Sequence, residues 1–161
     1  MDRKAILKKF EDELRESHQN FLDGKCIPLE EFDWGMPFHV AESKTEYRID
    51  NEVWTQVKLD PRISWHINSI YSYIANNLIN EPAAYRLRHT IKSKISNIST
   101  LPNGYAFILS LIDDVSEEFT EVRKVTAQNY VIIYRYYENI DIAIITHVFH
   151  QTQDYGKIFQ K

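Results

Sequence analysis

The sequence predicts an α+β fold: a two-helix hairpin packed on one face of an antiparallel sheet, wrapped by an N-terminal helix and an extended strap. Three observations carry this expectation. The runs Tyr130–Tyr137 and Ile140–Phe149 are rich in β-branched and aromatic residues and flank a Glu138-Asn139 break, the signature of a β-hairpin. Two helical stripes precede them, Ile63, Ile67, Ile70, Tyr71, Ile74 and Leu78, then Ala84, Leu87, Ile91, Ile95 and Ile98. The charge is uneven: residues 1–50 hold 12 acidic against 8 basic side chains, whereas residues 51–161 hold 11 of each. An acidic piece of 1–50 joined to a neutral body of 51–161 predicts two parts.

In chain order, residues 2–23 read as one exposed helix. Ile6, Leu7, Phe10, Leu14, Phe21 and Leu22 form a narrow apolar stripe among charges, and Gly24 is a natural helix end. So polar a helix is marginal alone and must dock on something. Large apolar residues then fall at Phe32, Trp34, Met36, Phe38 and Val40, a period of two. With Gly35 and Pro37 among them, the stretch reads either as an edge strand with a bulge or as a strap laying alternate side chains into pockets.

The polar residues 43–52 mark the boundary. Val53–Leu59 alternates and reads as the first strand of the body. Asp60-Pro61 then caps the first helix, Asn80-Glu81-Pro82 breaks it, and the second helix runs to about Ser99. After the Leu101–Gly104 turn, strands are expected at about 105–112 and 119–125, joined by an acidic loop. The opening hairpin follows, apolar on nearly every position and therefore central in the sheet. A polar tail, His150–Tyr155, leads into a last short turn or helix.

The single Cys26 excludes an internal disulfide, and no apolar run approaches the roughly 20 residues of a membrane span. A cytoplasmic protein with no membrane contact is the expectation. The histidines at 18, 39, 66, 89, 147 and 150 form no metal motif, and four glycines supply no phosphate loop. No metal and no cofactor are expected. What remains is Arg123 and Lys124 on one strand, Arg135 on the next, and His150, Asp154 and Tyr155 at the C-terminal end. Such a set can serve metal-free RNA cleavage, with cations on the phosphate and His or Tyr as acid or base. The competing reading is structural: Arg123 and Arg135 paired with Glu121 or Glu138, and His150 bonded to its strand end.

The motifs "IYSYIANNLINEPAAYRLRHTIKSKISNISTLPNG", "EVRKVTAQNYVIIYRYY" and "IAIITHVFHQTQDYGKIF" give residues 53–161 a resemblance to the RelE/ParE superfamily of bacterial type II toxins. That resemblance implies the RelE-like fold, growth arrest and neutralisation by an antitoxin. The stretch "LRESHQNFLDGKCIPLEEF" is similar to the toxin-binding region of antitoxins, so the inhibitor is expected in the same chain, through Phe10, Leu14, Phe21, Phe32, Trp34, Met36 and Phe38. An antitoxin's DNA-binding half is absent, and no operator binding is expected. The superfamily divides into ribosome-dependent mRNA endonucleases and inhibitors of DNA gyrase. As an endonuclease the chain would use Arg123, Lys124, Arg135, His150 and Tyr155. Against this, the neutral body lacks the basic charge that drives RNA affinity, and "HQTQDY" looks closer to the gyrase-inhibiting branch. A non-catalytic protein-binding module and a degenerate toxin fold are the remaining alternatives.

Overall fold

The computed structural model describes residues 2–34 and 54–159. Helix α1 spans Arg3–Leu22 and opens on Asp2, whose carboxylate accepts from the Ala5 amide at 2.8 Å. Gly24, at φ +74°, takes the left-handed conformation that ends a helix at no Cβ cost. Strand β1 (Ile27–Pro28) follows, then β2 (Gln56–Leu59), α2 (Arg62–Ser72) and α3 (Glu81–Ile98). Strands β3 (Ala106–Phe107), β4 (Val122–Ala127), β5 (Tyr130–Tyr137) and β6 (Ile142–His150) complete the sheet, and α4 (Asp154–Lys157) closes the chain.

The strand order is β1-β2-β6-β5-β4-β3. This is the predicted α+β architecture with one correction to the sheet: it is mixed, because β2 runs parallel to β6, Gln56 opposite Ile142 and Leu59 opposite Ile145. Every other pairing is antiparallel. The strand expected over 105–112 keeps only Ala106–Phe107 extended. Ile108–Ser110 then turns into a 3-10 helix that buries Ile108.

Two apolar layers sandwich the sheet. On one face, α2 and α3 pack Ile63, Ile67, Leu87, Ile91, Ile95 and Ile98 onto Val125, Ile132, Tyr134 and Ile145. The Tyr134 hydroxyl donates to the Pro102 carbonyl at 2.5 Å, which answers the polar group of a fully buried ring. On the other face, α1 packs Ile6, Leu7, Phe10 and Leu14 onto Val131, Ile133, Phe149 and Ile158.

The N-terminal segment therefore touches both faces. From α1 it passes the sheet edge as β1, pairing antiparallel with β2, and then sends Phe32 and Trp34 into the core beneath α2 and α3. Those two rings lie 4.7 Å apart. Met36 and Phe38 lie outside the described residues.

Candidate functional site

Glu13 sits on the buried side of α1, one position before Leu14, and its carboxylate lands on the body. Its Oε1 accepts from His147 Nε2 at 3.0 Å and from the Tyr155 hydroxyl in a short hydrogen bond. Phe10, one turn earlier, fills the aromatic pocket around them, with ring centroids 4.7 Å from His147, 5.3 Å from Tyr155 and 6.4 Å from Phe159. Arg62 adds a second anchor: its guanidinium donates to the Glu13 carbonyl and to the Glu16 carboxylate, both at 3.1 Å. Asp60, fully buried, holds Arg62 in place through bonds at 2.9 and 3.1 Å. The same carboxylate accepts from the Arg62 amide at 2.9 Å and so starts α2.

A β-bulge brings His147 here. The β5–β6 register shifts between Ile133 and Tyr134, leaving Thr146 as the extra residue. Ile145 therefore packs toward α2 and α3, whereas His147, two residues on, faces α1. Without the bulge both would share a face. Thr146 Oγ1 lies 3.2 Å from the Ile133 carbonyl and 3.0 Å from His147 Nδ1.

The electrostatics follow from burial. Burial opposes the Glu13 charge, but hydrogen bonds from His147 and Tyr155, with the charge of Arg62 behind them, outweigh it and hold the carboxyl down at about 2. Burial pushes the His147 imidazole down despite Glu13, and burial also lowers His66 beside it. Burial, then the Glu13 contact, pushes the Tyr155 phenol up. At neutral pH the cluster is thus an anionic Glu13 held by a neutral imidazole and a neutral phenol. A cleft of about 520 Å³ opens beside it, bordered by Lys9, Trp65, His66 and Asp154.

The pH dependence has a definite sign. Both folded-state values lie below the ordinary ones, 6.5 for the imidazole and 4.5 for the carboxyl. The contribution of these two groups is fully present above pH 6.5 and falls on acidification, first as the unfolded chain protonates His147 and then as it protonates Glu13. The Glu13 part is on the order of 2 kcal/mol after screening, lost between about pH 4.5 and pH 2. Urea midpoints measured from pH 7 to pH 3 should fall. Glu13→Gln should flatten the limb below pH 4.5, and an unchanged limb would refute this assignment.

The five residues expected from sequence to form a catalytic set each have different partners. Arg123 is buried and donates to the carbonyls of Tyr105 at 2.6 Å and Asn103 at 3.1 Å, with its guanidinium 3.8 Å from the Phe107 ring centre. Arg135 pairs with Glu121 at 3.3 Å. The His150 ring accepts from the Thr152 amide at 3.1 Å, and the His150 amide donates to Gln153 Oε1 at 2.8 Å, so this residue organises its own turn. Lys124 approaches the Phe159 ring at 5.2 Å. Only Tyr155 reaches the cluster beneath α1.

Sequence reading missed Glu13, Arg62 and His147. Glu13 looked like one charge among many on a solvated helix, and His147 sat inside an apolar strand run. The available signal was that same strand, since a histidine in a buried run requires a polar partner.

Phe10, Leu14, Phe32 and Trp34 are buried against the body, and Phe21 stacks on Tyr137 with ring centroids 4.9 Å apart. Gly156, at the start of the terminal turn, has no room for a side chain: a Cβ there would overlap the Gln151 carbonyl. Gly156→Ala should displace α4 and Tyr155 and cost about 1–3 kcal/mol, read as a lower thermal midpoint than wild type. Unchanged stability would show that the turn can shift freely.

Among the described residues, no group of three or more His, Cys, Asp or Glu side chains could hold a metal ion, and no helix is long and apolar enough to cross a membrane.

A helical hairpin on a mixed sheet, with an aromatic and polar face closed by an N-terminal helix, defines a small α+β module compatible with the RelE/ParE-like toxin fold. The family model "ParE toxin of type II toxin-antitoxin system, parDE" matches residues 57–155, and the chain belongs to that family. It is a toxin module of a type II system, and membership implies an antitoxin partner. No curated protein and no solved structure matches the chain.

Proposed function

We propose that residues 1–50 act as an antitoxin-like inhibitor carried in the same chain, and that they hold the toxin module of residues 51–161 inactive. The observation that supports this reading is the seating of α1. Its Phe10 and Glu13 occupy the His147–Tyr155 cluster, and Arg62 clamps the helix from the body side. β1 adds a strand to the sheet edge, a common way for one segment to bind another fold.

For the released module we propose the cytoplasmic gyrase-inhibiting activity rather than mRNA cleavage. Arg123, Arg135 and His150 are each engaged by their own surroundings, and residues 51–161 carry equal numbers of acidic and basic side chains. Neither feature suits a site that must neutralise an RNA phosphate. A target protein gripped through the uncovered aromatic face needs no such cations.

The test is induction of residues 51–161 in bacteria, with total RNA and supercoiled plasmid recovered afterwards. Gyrase-linked DNA breaks with intact mRNA are expected. Fragmented mRNA with intact plasmid would refute the gyrase reading and return Arg123, Lys124, Arg135, His150 and Tyr155 to a catalytic role.

A further inference from the structure

Three side chains of α1 meet the body in a regular pattern. Phe10, Glu13 and Glu16 stand three residues apart, so they share one face of the helix. Phe10 fills the aromatic pocket, and Glu13 Oε1 accepts from His147 Nε2 and the Tyr155 hydroxyl. The Glu16 carboxylate accepts from Arg62 at 3.1 Å. The body thus reads a ring followed by two acids, at the third and sixth positions beyond it.

The receiving groups are oriented from the body side. Thr146 Oγ1 lies 3.0 Å from His147 Nδ1, which turns Nε2 toward α1, and a neutral imidazole that donates there keeps its proton on Nε2. Tyr155 is set by the terminal turn, where the Gly156 amide donates to the Gln153 carbonyl at 2.8 Å, and by the Phe149 ring 5.6 Å away. Asp60 sets Arg62. These supports belong to the body rather than to α1, so the donors are arranged ahead of the ligand.

Their arrangement selects among anions. Two neutral donors converge on one oxygen, and the cation that reaches them from the body, Arg62, already faces the buried carboxylate of Asp60. Asp154 borders the same cleft. One carboxylate at the end of a side chain fits these surroundings. A nucleic-acid backbone carries a charge at each nucleotide and is held by an excess of cations, whereas here Arg62 is balanced by Asp60.

We propose that His147, Tyr155 and Arg62 form a carboxylate receptor of the body, which Glu13 fills at rest. On the reading that α1 leaves when the module acts, the same receptor then takes an acidic side chain from a helix of the target protein, one turn beyond an aromatic residue. α1 is in that case a stand-in for the target helix.

The test uses the full chain carrying Glu13→Ala, which empties the receptor beside the cleft of about 520 Å³. Thermal midpoints are measured at neutral pH while sodium acetate replaces sodium chloride at constant ionic strength, with wild type as the reference for general salt effects. Acetate should raise the Glu13→Ala midpoint by about 2–4 °C more than that of wild type, as expected with acetate at about five times its dissociation constant. The gain should vanish when Tyr155→Phe is added, which keeps the ring and removes a donor. If Glu13→Ala is unfolded in chloride, acetate should restore the circular dichroism of the folded chain. No gain specific to Glu13→Ala in either readout, or a gain that survives Tyr155→Phe, would overturn the proposal. So would a larger gain with inorganic phosphate than with acetate, which would give the site to a nucleic-acid backbone instead. Growth of bacteria expressing residues 51–161 tests whether α1 holds the module inactive. The acetate response does not depend on that result, so the two readings fail separately.

Discussion

Bacteria expressing residues 51–161 are expected to stop growing, while bacteria expressing the full chain at equal levels continue to grow. Removing residues 1–50 takes away α1, β1 and the Phe32–Trp34 pair together. It uncovers the face formed by Val131, Ile133, His147, Phe149 and Tyr155 and leaves that cluster without its carboxylate. An uncovered apolar face can also drive aggregation, so the comparison includes residues 1–50 supplied as a separate chain. Supplied in this way, they should restore both solubility and growth, because every contact of α1 with the body is non-covalent. Arrest that the separate segment fails to relieve would sink the inhibitor reading. Normal growth with soluble residues 51–161 would sink the toxin activity of this chain.

The second large effect is expected at Phe10. Its ring is fully buried and touches His147, Tyr155 and Phe159, which makes it the anchor of α1 on the sheet. Phe10→Ala should cost about 3–5 kcal/mol, the sum of lost apolar transfer and an unfilled cavity. That is a large share of the stability of a domain this size, which is typically about 5–15 kcal/mol. Urea unfolding measures it, with Phe21→Ala as comparison. Phe21 is only half-buried against Tyr137 and should cost less. A Phe10→Ala loss below about 1 kcal/mol would mean that α1 is held by its polar contacts rather than by this ring.

The sequence by itself determined the local elements. Helical stripes such as Leu87, Ile91, Ile95 and Ile98 and the apolar runs of β5 and β6 arise from the periodicity of the chain, which any core would exploit. It also showed that Asp60-Pro61 begins a helix, that Asn80-Glu81-Pro82 interrupts the helical run and that Gly24 ends a helix, because these signals involve neighbours in sequence. The resemblance of residues 53–161 to a toxin superfamily was legible in the same strand and tail motifs.

Only the tertiary structure decided the rest, since it depends on residues far apart in the chain. The parallel β2–β6 pair joins residues more than eighty positions apart, and no local pattern of alternation distinguishes it from an antiparallel one. The Thr146 bulge reverses which side chains of β6 face α1, and so delivers His147 to Glu13 across 134 residues. The fold also gives Arg123, Arg135 and His150 each a different partner, which their residue types alone did not reveal. Residue type tells what a side chain can bond; the fold decides which partner lies within about 3 Å of it.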